Sequence, residues 1–281
     1  MRVPPDHLHH FALSPPRVAD FAPSPDTQEQ QVREAVFANL ATDPDGHLAR
    51  YRERFGNILN ADNAATLFEE YNHDPAHYRV AVHPAAVWIR DELFRRALAV
   101  KGVPGCNRVA LTAGANAAGK STAISFSRAA ETSQVVLDST FSNAGHAGRL
   151  ADQTLAADKR LTILYVRRPL REALDGMLER AETEGRLVSI QQLLDSDRGA
   201  AETVRGLWRQ YGITLKLARL SMKTSSATTA TARSTKRRIA ASEDLETRAN
   251  RLAADREARL AVDGLQRLAR EKAARKQHPA A

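Results

Sequence analysis

One cysteine, Cys106, is present in 281 residues. That excludes an internal disulfide and any metal centre built on thiolates, and it fits a reducing compartment. Aromatic residues make up only 5%, so a core must be built mainly from Ala, Leu and Val. No run approaches the roughly 18 apolar residues of a membrane-spanning helix. The opening Met1-Arg2-Val3-Pro4-Pro5 has no apolar stretch of the kind that directs secretion. No membrane span and a cytoplasmic location are therefore expected.

The charge is also missing from where it would first be sought. The formal net charge is +8, but residues 221–281 hold 14 Lys and Arg against 7 Asp and Glu, while residues 1–220 hold 27 against 26. Basicity belongs to the tail and does not make the globular part a nucleic-acid binder. Nor does the tail contain an aromatic residue, which excludes base stacking by that segment. An acidic protein or a nucleic-acid backbone remains the kind of partner the tail would meet.

Composition divides the chain into five stretches. Residues 1–26 contain Pro4, Pro5, Pro15, Pro16, Pro23 and Pro25 and read as a disordered arm. His7, His9 and His10 in it lack partners spaced to complete a metal site. Residues 27–100 read as helices packing on a neighbouring core. Val32, Val36, Phe37 and Leu40 form one helical stripe; Ala64, Leu67, Phe68 and Tyr71, with Asp62 as N-cap, form a second. A third starts at Pro84. His77 and His83 beside it read as structural or solvent-exposed.

Residues 101–220 alternate apolar runs with helical periods. The runs are 109–111, 135–137, 161–166 and 213–217, and the helical stretches are 121–130, 147–157 and 170–182. Strands alternating with helices of this length predict a parallel sheet flanked by helices. Residues 221–242 read as a Ser/Thr/Ala-rich linker and 243–281 as a charged helix carrying the basic tail.

Chemistry concentrates in three places. Gly114-Ala115-Asn116-Ala117-Ala118-Gly119-Lys120-Ser121-Thr122 satisfies Gly-x-x-x-x-Gly-Lys-[Ser/Thr] in full, after an apolar strand and before a helix. The glycines let backbone amides curl around phosphate oxygens, and the helix start offers further N–H groups. Lys120 places a point charge on the β- and γ-phosphates, and the Ser121 hydroxyl is suited to Mg²⁺. Dependence on ATP or GTP follows. The second place is Asp138, which ends the run Val135-Val136-Leu137. A carboxylate at the end of a buried strand lies at the sheet edge where ligands bind. Either it holds Mg²⁺, or it takes the proton of an attacking hydroxyl, or it caps the following helix. The third is Glu179-Arg180-Ala181-Glu182 with Glu184-Gly185-Arg186, where two arginines flank a bend suited to closing over phosphates. Arg167 and Arg168 end the preceding strand.

Together these segments resemble the zeta-toxin-like P-loop kinases over about residues 105–210. The carriers are Gly114–Thr122, the run Leu137-Asp138-Ser139-Thr140-Phe141-Ser142-Asn143, and Tyr165–Pro169 leading to Arg180 and Arg186. The resemblance implies a P-loop NTPase/kinase core, transfer of the γ-phosphate of ATP to a hydroxyl, and Mg²⁺ as cofactor. It also implies a small-molecule phosphate acceptor of the UDP-sugar kind, UDP-N-acetylglucosamine being the best known, and an inhibitory antitoxin-like protein partner. By family position Lys120 and Ser121 bind nucleotide and metal, Asp138 is the acidic residue tied to the acceptor, and Arg180 and Arg186 face phosphate. Two departures stand out. Only one strand fits between Thr122 and Asp138, and Ser139 stands where related sequences often have Gly. Other readings remain open: a kinase acting on a nucleoside, an antibiotic or a polynucleotide end, and a nucleotide-switched binding protein that presents its tail.

Overall fold

Runs rich in Val, Ile and Leu become buried strands, and the helical periods between them become the crossovers a parallel sheet needs. The computed structural model describes residues 13–102, 106–184, 188–212, 214–221 and 224–230. Six strands are present among them: β1 (Ile58–Leu59), β2 (Arg108–Ala113), β3 (Val135–Leu137), β4 (Arg160–Arg167), β5 (Thr214–Ser221) and β6 (Thr224–Ala230). Their order in the sheet is β1-β3-β2-β4-β5-β6. From β2 the chain passes to β3 on one side, then crosses to β4 on the other. The end of β2 is thus a topological switch point, where open α/β sheets bind ligands. This is an α/β sheet of the P-loop NTPase type.

The chain divides into two compact units. One gathers Met1–Ala110, Arg128–Asp138 and Ala151–Leu161; the other gathers Leu111–Ser127, Ser139–Leu150 and Thr162–Ala281.

In the first unit, helices α1 (Thr27–Thr42), α2 (Pro44–Phe55), α3 (Ala61–Ala65), α4 (Glu69–His73) and α5 (Pro75–Ala99) accompany the paired strands β1 and β3, against which α5 packs. These two run parallel, with Ile58 opposite Val136 and Leu59 opposite Leu137. The helical stripes meet in a core of Val36, Phe37, Leu40, Tyr51, Phe68, Ile89 and Phe94, all buried. Asn57 ties the start of β1 to the approach to β3, its Nδ2 donating to the carbonyls of Ala130 at 2.7 Å and Ser133 at 2.9 Å.

Four expectations are corrected in this unit. Residues 27–100 are not purely helical, because β1 joins the sheet; two residues between a Gly-containing turn and a helix start are too few to show a period. Asn60, not Asp62, caps α3, and α5 begins at Pro75 with Asp74 as its cap, nine residues before Pro84. Pro84 sits inside that helix, and the bond it cannot make is the one to Val80, which is 62% exposed. Finally, residues 13–26 are held in place rather than forming a disordered arm. Trp88 Nε1 donates to the Leu13 carbonyl at 2.9 Å, the Leu13 N–H to Glu92 Oε2 at 3.2 Å, and Arg33 Nη1 to the Ala22 carbonyl at 2.8 Å. Proline there stiffens an extended strap whose polar groups find partners. Residues 1–12, with the three histidines, lie outside the described residues.

In the second unit, α6 (Lys120–Phe126), most of α8 (Ala144–Ala156), α9 (Leu170–Glu184) and α10 (Ile190–Tyr211) accompany β5 and β6; α7 (Ala129–Thr132) falls in the first. Strands β4 and β5 are parallel, with Tyr165 opposite Leu217. Strand β6 pairs antiparallel with β5, with Leu217 opposite Ala230 and Arg219 opposite Thr228. Thr224–Ala230 is therefore a strand where a linker was expected; its threonines are β-branched and suit extended backbone. The charged helix expected over 243–281 lies outside the described residues.

Candidate active site

The loop between β2 and α6 has the backbone its sequence calls for. Gly114 and Gly119 adopt φ of 148° and 85°, conformations that side chains resist. A Cβ on Gly114 would lie 2.4 Å from the Val166 carbonyl oxygen of β4. Ala117, between the glycines, is also held at a positive φ of 56°, strain of the sort that gathers at functional loops. The Lys120 ammonium folds over the loop, donating to the carbonyls of Ala115 at 2.9 Å and Gly114 at 3.3 Å. Gly119 is the N-cap of α6 and has no side chain to offer its amides. Ser121 and Thr122 are exposed at the first turn. Together these features fit an anion: an ammonium lies over a glycine-bearing turn at a helix start, where no side-chain oxygen of the cap competes for the first amides.

The loop is braced from behind. The Asn116 N–H donates to Ser196 Oγ at 3.1 Å, and Asn116 Nδ2 lies 3.3 Å from the same oxygen. Ser196, buried on α10, donates in turn to the Leu193 carbonyl at 2.9 Å. Arg168 Nη1 donates to the Ala117 carbonyl at 3.2 Å, and its guanidinium rests against Gly176 of α9. Of the two arginines ending β4, Arg168 thus reaches the loop, whereas Arg167 lies near the buried Asp197. Burial pushes the Asp197 carboxyl above its ordinary range, and the Arg167 charge acts the other way.

Sequence reasoning missed Ser196 and the whole of α10. A signal existed: Ser189 and Gln192 form a reciprocal capping box, and Gly212 closes the helix at φ 58°.

The loop following β3 is knitted to the end of β2. Thr112 Oγ1 accepts from the Ser139 N–H at 3.0 Å and donates to the Ser139 carbonyl at 3.2 Å. The Gly114 N–H donates to the Thr140 carbonyl at 3.1 Å. Phe141, buried, takes φ 57°, and a Cβ on Gly199 would stand 2.5 Å from the Ser142 carbonyl oxygen. Both the N–H and the carbonyl of Ser139 are thus engaged by Thr112.

Asp138 belongs to the first unit. It is 8% exposed at the end of β3, its N–H donates to the Leu59 carbonyl at 2.8 Å, and its Oδ2 accepts from Asn60 Nδ2 at 2.9 Å. Tyr51 lies close behind, fully buried. Desolvation pushes its phenol up to about 12, with the Asp138 charge adding to the rise and backbone hydrogen bonding at Asn60 opposing it. Neither Asn60 nor Tyr51 was expected here, because their approach depends on β1.

Arg180 falls on α9, but its side chain, like the whole of Arg186, lies outside the described residues. Among the described residues no three His, Cys, Asp or Glu side chains group to hold a metal ion. No described helix is long and apolar enough to cross a membrane. His83 is exposed on α5.

A phosphate loop at the switch point of a parallel sheet defines a protein of the P-loop NTPase fold. Residues 129–226 match the model of the zeta toxin family, so over that segment, from α7 into β6, the chain is zeta-toxin-like. The match begins nine residues beyond Lys120; the loop itself is identified by its own sequence and geometry. Comparison with curated proteins gives no match.

Proposed function

We propose that this chain is an ATP-dependent kinase that transfers the γ-phosphate to a hydroxyl of a small molecule, with a nucleotide sugar such as UDP-N-acetylglucosamine as the first acceptor to test. The observation that carries the reading is the Gly114–Lys120 loop: two glycines at positive φ, Lys120 drawn over the loop carbonyls, and an uncapped helix start. The zeta-toxin-like segment supports phosphoryl transfer as the reaction class.

In this reading the loop amides and Lys120 grip the β- and γ-phosphates, and Ser121 supplies a hydroxyl to Mg²⁺, which when bound offsets charge on the transferring group. Lys120 exchanges its hydrogen bonds to the Gly114 and Ala115 carbonyls for phosphate oxygens. Asp138 accepts the proton of the acceptor hydroxyl as the O–P bond forms and the bond to the leaving ADP breaks. Its closeness in the chain to Ser139, which Thr112 holds two residues before Gly114, supports that role. Arg180 and Arg186 take the charge that develops on the equatorial oxygens.

The test is incubation with labelled ATP and a panel of hydroxyl-bearing metabolites, with Lys120→Ala as control. A labelled nucleotide sugar made by the wild type and not by Lys120→Ala is the expected result. Label appearing only as free phosphate removes the kinase reading. Label on a nucleoside, an antibiotic or a polynucleotide end keeps the kinase and replaces the acceptor.

A further inference from the structure

The short strand β1 does more than extend the sheet: it delivers Asn60 to Asp138. Three bonds leave Asn60 almost no freedom. Its Oδ1 accepts from the Asp62 N–H at 2.7 Å, which makes it the cap of α3. Its N–H donates to Tyr51 Oη at 2.8 Å, and Tyr51 Oη in turn donates to the Ile58 carbonyl at 2.8 Å and lies 3.3 Å from the Asn60 carbonyl. With Oδ1 committed to a backbone donor, the amide can turn only its NH₂ toward Asp138, and Nδ2 donates to Oδ2 at 2.9 Å. Burial pushes the Tyr51 phenol up to about 12, so the clamp on Asn60 stays protonated throughout the working range of pH. Asp138 is also fixed from its backbone by the bond to Leu59. Main chain and carboxylate are therefore both held by consecutive residues of one strand end.

We propose that Asn60 is the positioning residue for Asp138: its amide fixes the rotation of the Asp138 carboxylate, so that the same oxygen meets the acceptor hydroxyl in every turnover. This rests on the reading of Asp138 as the group that receives the hydroxyl proton. A misplacement of about 1 Å in such a group can cost on the order of 10²-fold in rate. Asn60 would act on kcat and leave nucleotide binding alone.

Capping and positioning can be separated by choice of substitution. Serine and aspartate cap helices as well as asparagine, but neither donates an N–H to Asp138. Asn60→Ser and Asn60→Asp should keep α3 capped and the wild-type KM for ATP, while the thermal midpoint falls modestly in Asn60→Ser, where the buried carboxylate loses a donor, and further in Asn60→Asp, where a second carboxylate faces it. With UDP-N-acetylglucosamine as the probe, kcat should fall about 10- to 100-fold in Asn60→Ser and at least as far in Asn60→Asp. In the Asp138→Asn background, adding Asn60→Ser should cost nothing further, because the residue it positions is already disabled. The ¹³Cγ resonance of Asp138 should shift or broaden in Asn60→Ser.

Wild-type kcat in Asn60→Ser, or a further tenfold loss on top of Asp138→Asn, overturns the proposal. Undiminished transfer by Asp138→Asn overturns both this proposal and the role given to Asp138. If the wild type leaves UDP-N-acetylglucosamine untouched, only the acceptor assignment fails. The resonance then decides alone: movement in Asn60→Ser supports the proposal and an unmoved signal overturns it.

Discussion

The α-carbon of Gly114 stands so close to the backbone of Val166 that a methyl group there would lie 2.4 Å from a carbonyl oxygen. The neighbour is main chain near the end of β4, paired there with Ala218 of β5, so it cannot swing aside as the end of a side chain would. Gly114 also takes a φ of 148°. Gly114→Ala should therefore lose both loop geometry and stability, by roughly 1–3 kcal/mol, as overpacking usually does. Urea unfolding measures the second, and titration with a fluorescent ATP analogue measures the first. A variant that binds the analogue like wild type would show that the strand and loop can part without consequence.

The brace behind the loop makes a different prediction. Ser196, itself buried, accepts from the N–H of the half-buried Asn116, so Ser196→Ala takes that acceptor away. An unsatisfied buried donor costs about 1–3 kcal/mol. Part of this is expected as lost stability and part as a loop that must be reordered by nucleotide, raising KM for ATP several-fold with kcat little altered. Ser196→Thr, which keeps the hydroxyl, should restore KM. Steady-state kinetics of the three proteins side by side decide whether the hydroxyl or merely the space matters.

The two relationships differ in how far they were readable beforehand. The phosphate loop, β2 to β5 and helices α8 and α9 follow from local pattern, because each is a run whose period and punctuation lie within a dozen residues. The places of Lys120 at the start of α6 and of Asp138 just past β3 were legible for the same reason: each ends or begins such a run. Ser196, Asn60 and Tyr51 were not, since what gives them meaning is a contact 78 to 80 residues away for Asn60 and Ser196. Strand β1 is two residues long, below any detectable alternation, and it exists because its partner β3 offers an edge. The strap at residues 13–26 failed in the opposite direction: proline content spoke for disorder, while the donors and the acceptor that hold it lie on α1 and α5.

That strap can be tested through one bond. Trp88 Nε1 donates to the Leu13 carbonyl, and Trp88 is itself buried. Trp88→Phe keeps most of the apolar body and removes the donor. The expected outcome is faster limited proteolysis within residues 13–26, with the core of the first unit staying resistant. Cleavage at the wild-type rate would mean that the Leu13 N–H bond to Glu92, and the Arg33 bond to Ala22, hold the strap without help.

Glu92 makes the sharpest pH prediction, because it has no exposed surface and gathers several donors. Its Oε1 accepts from Arg95 Nη2 at 2.7 Å and Arg96 Nε at 2.8 Å, and its Oε2 from Arg95 Nε at 2.8 Å and the Leu13 N–H at 3.2 Å. Burial alone would push its carboxyl up. The bonds from Arg95, Arg96 and Leu13 outweigh that and hold it below the ordinary 4.5. A carboxyl that is harder to protonate when folded stabilises the fold fully above the unfolded value of about 4.5, and that contribution is lost as pH falls through the lower folded value. Stability by urea unfolding should therefore be level in this contribution from neutral pH down to about 5 and then decline. In Glu92→Gln the acceptor oxygen survives but the charge does not. Stability near neutral pH should drop by about 1–3 kcal/mol, the worth of hydrogen bonds to a charged group, and the part of the acid decline that belongs to Glu92 should flatten. An acid limb with the same slope in both proteins would assign the decline to other carboxylates and leave Glu92 as a packing residue only.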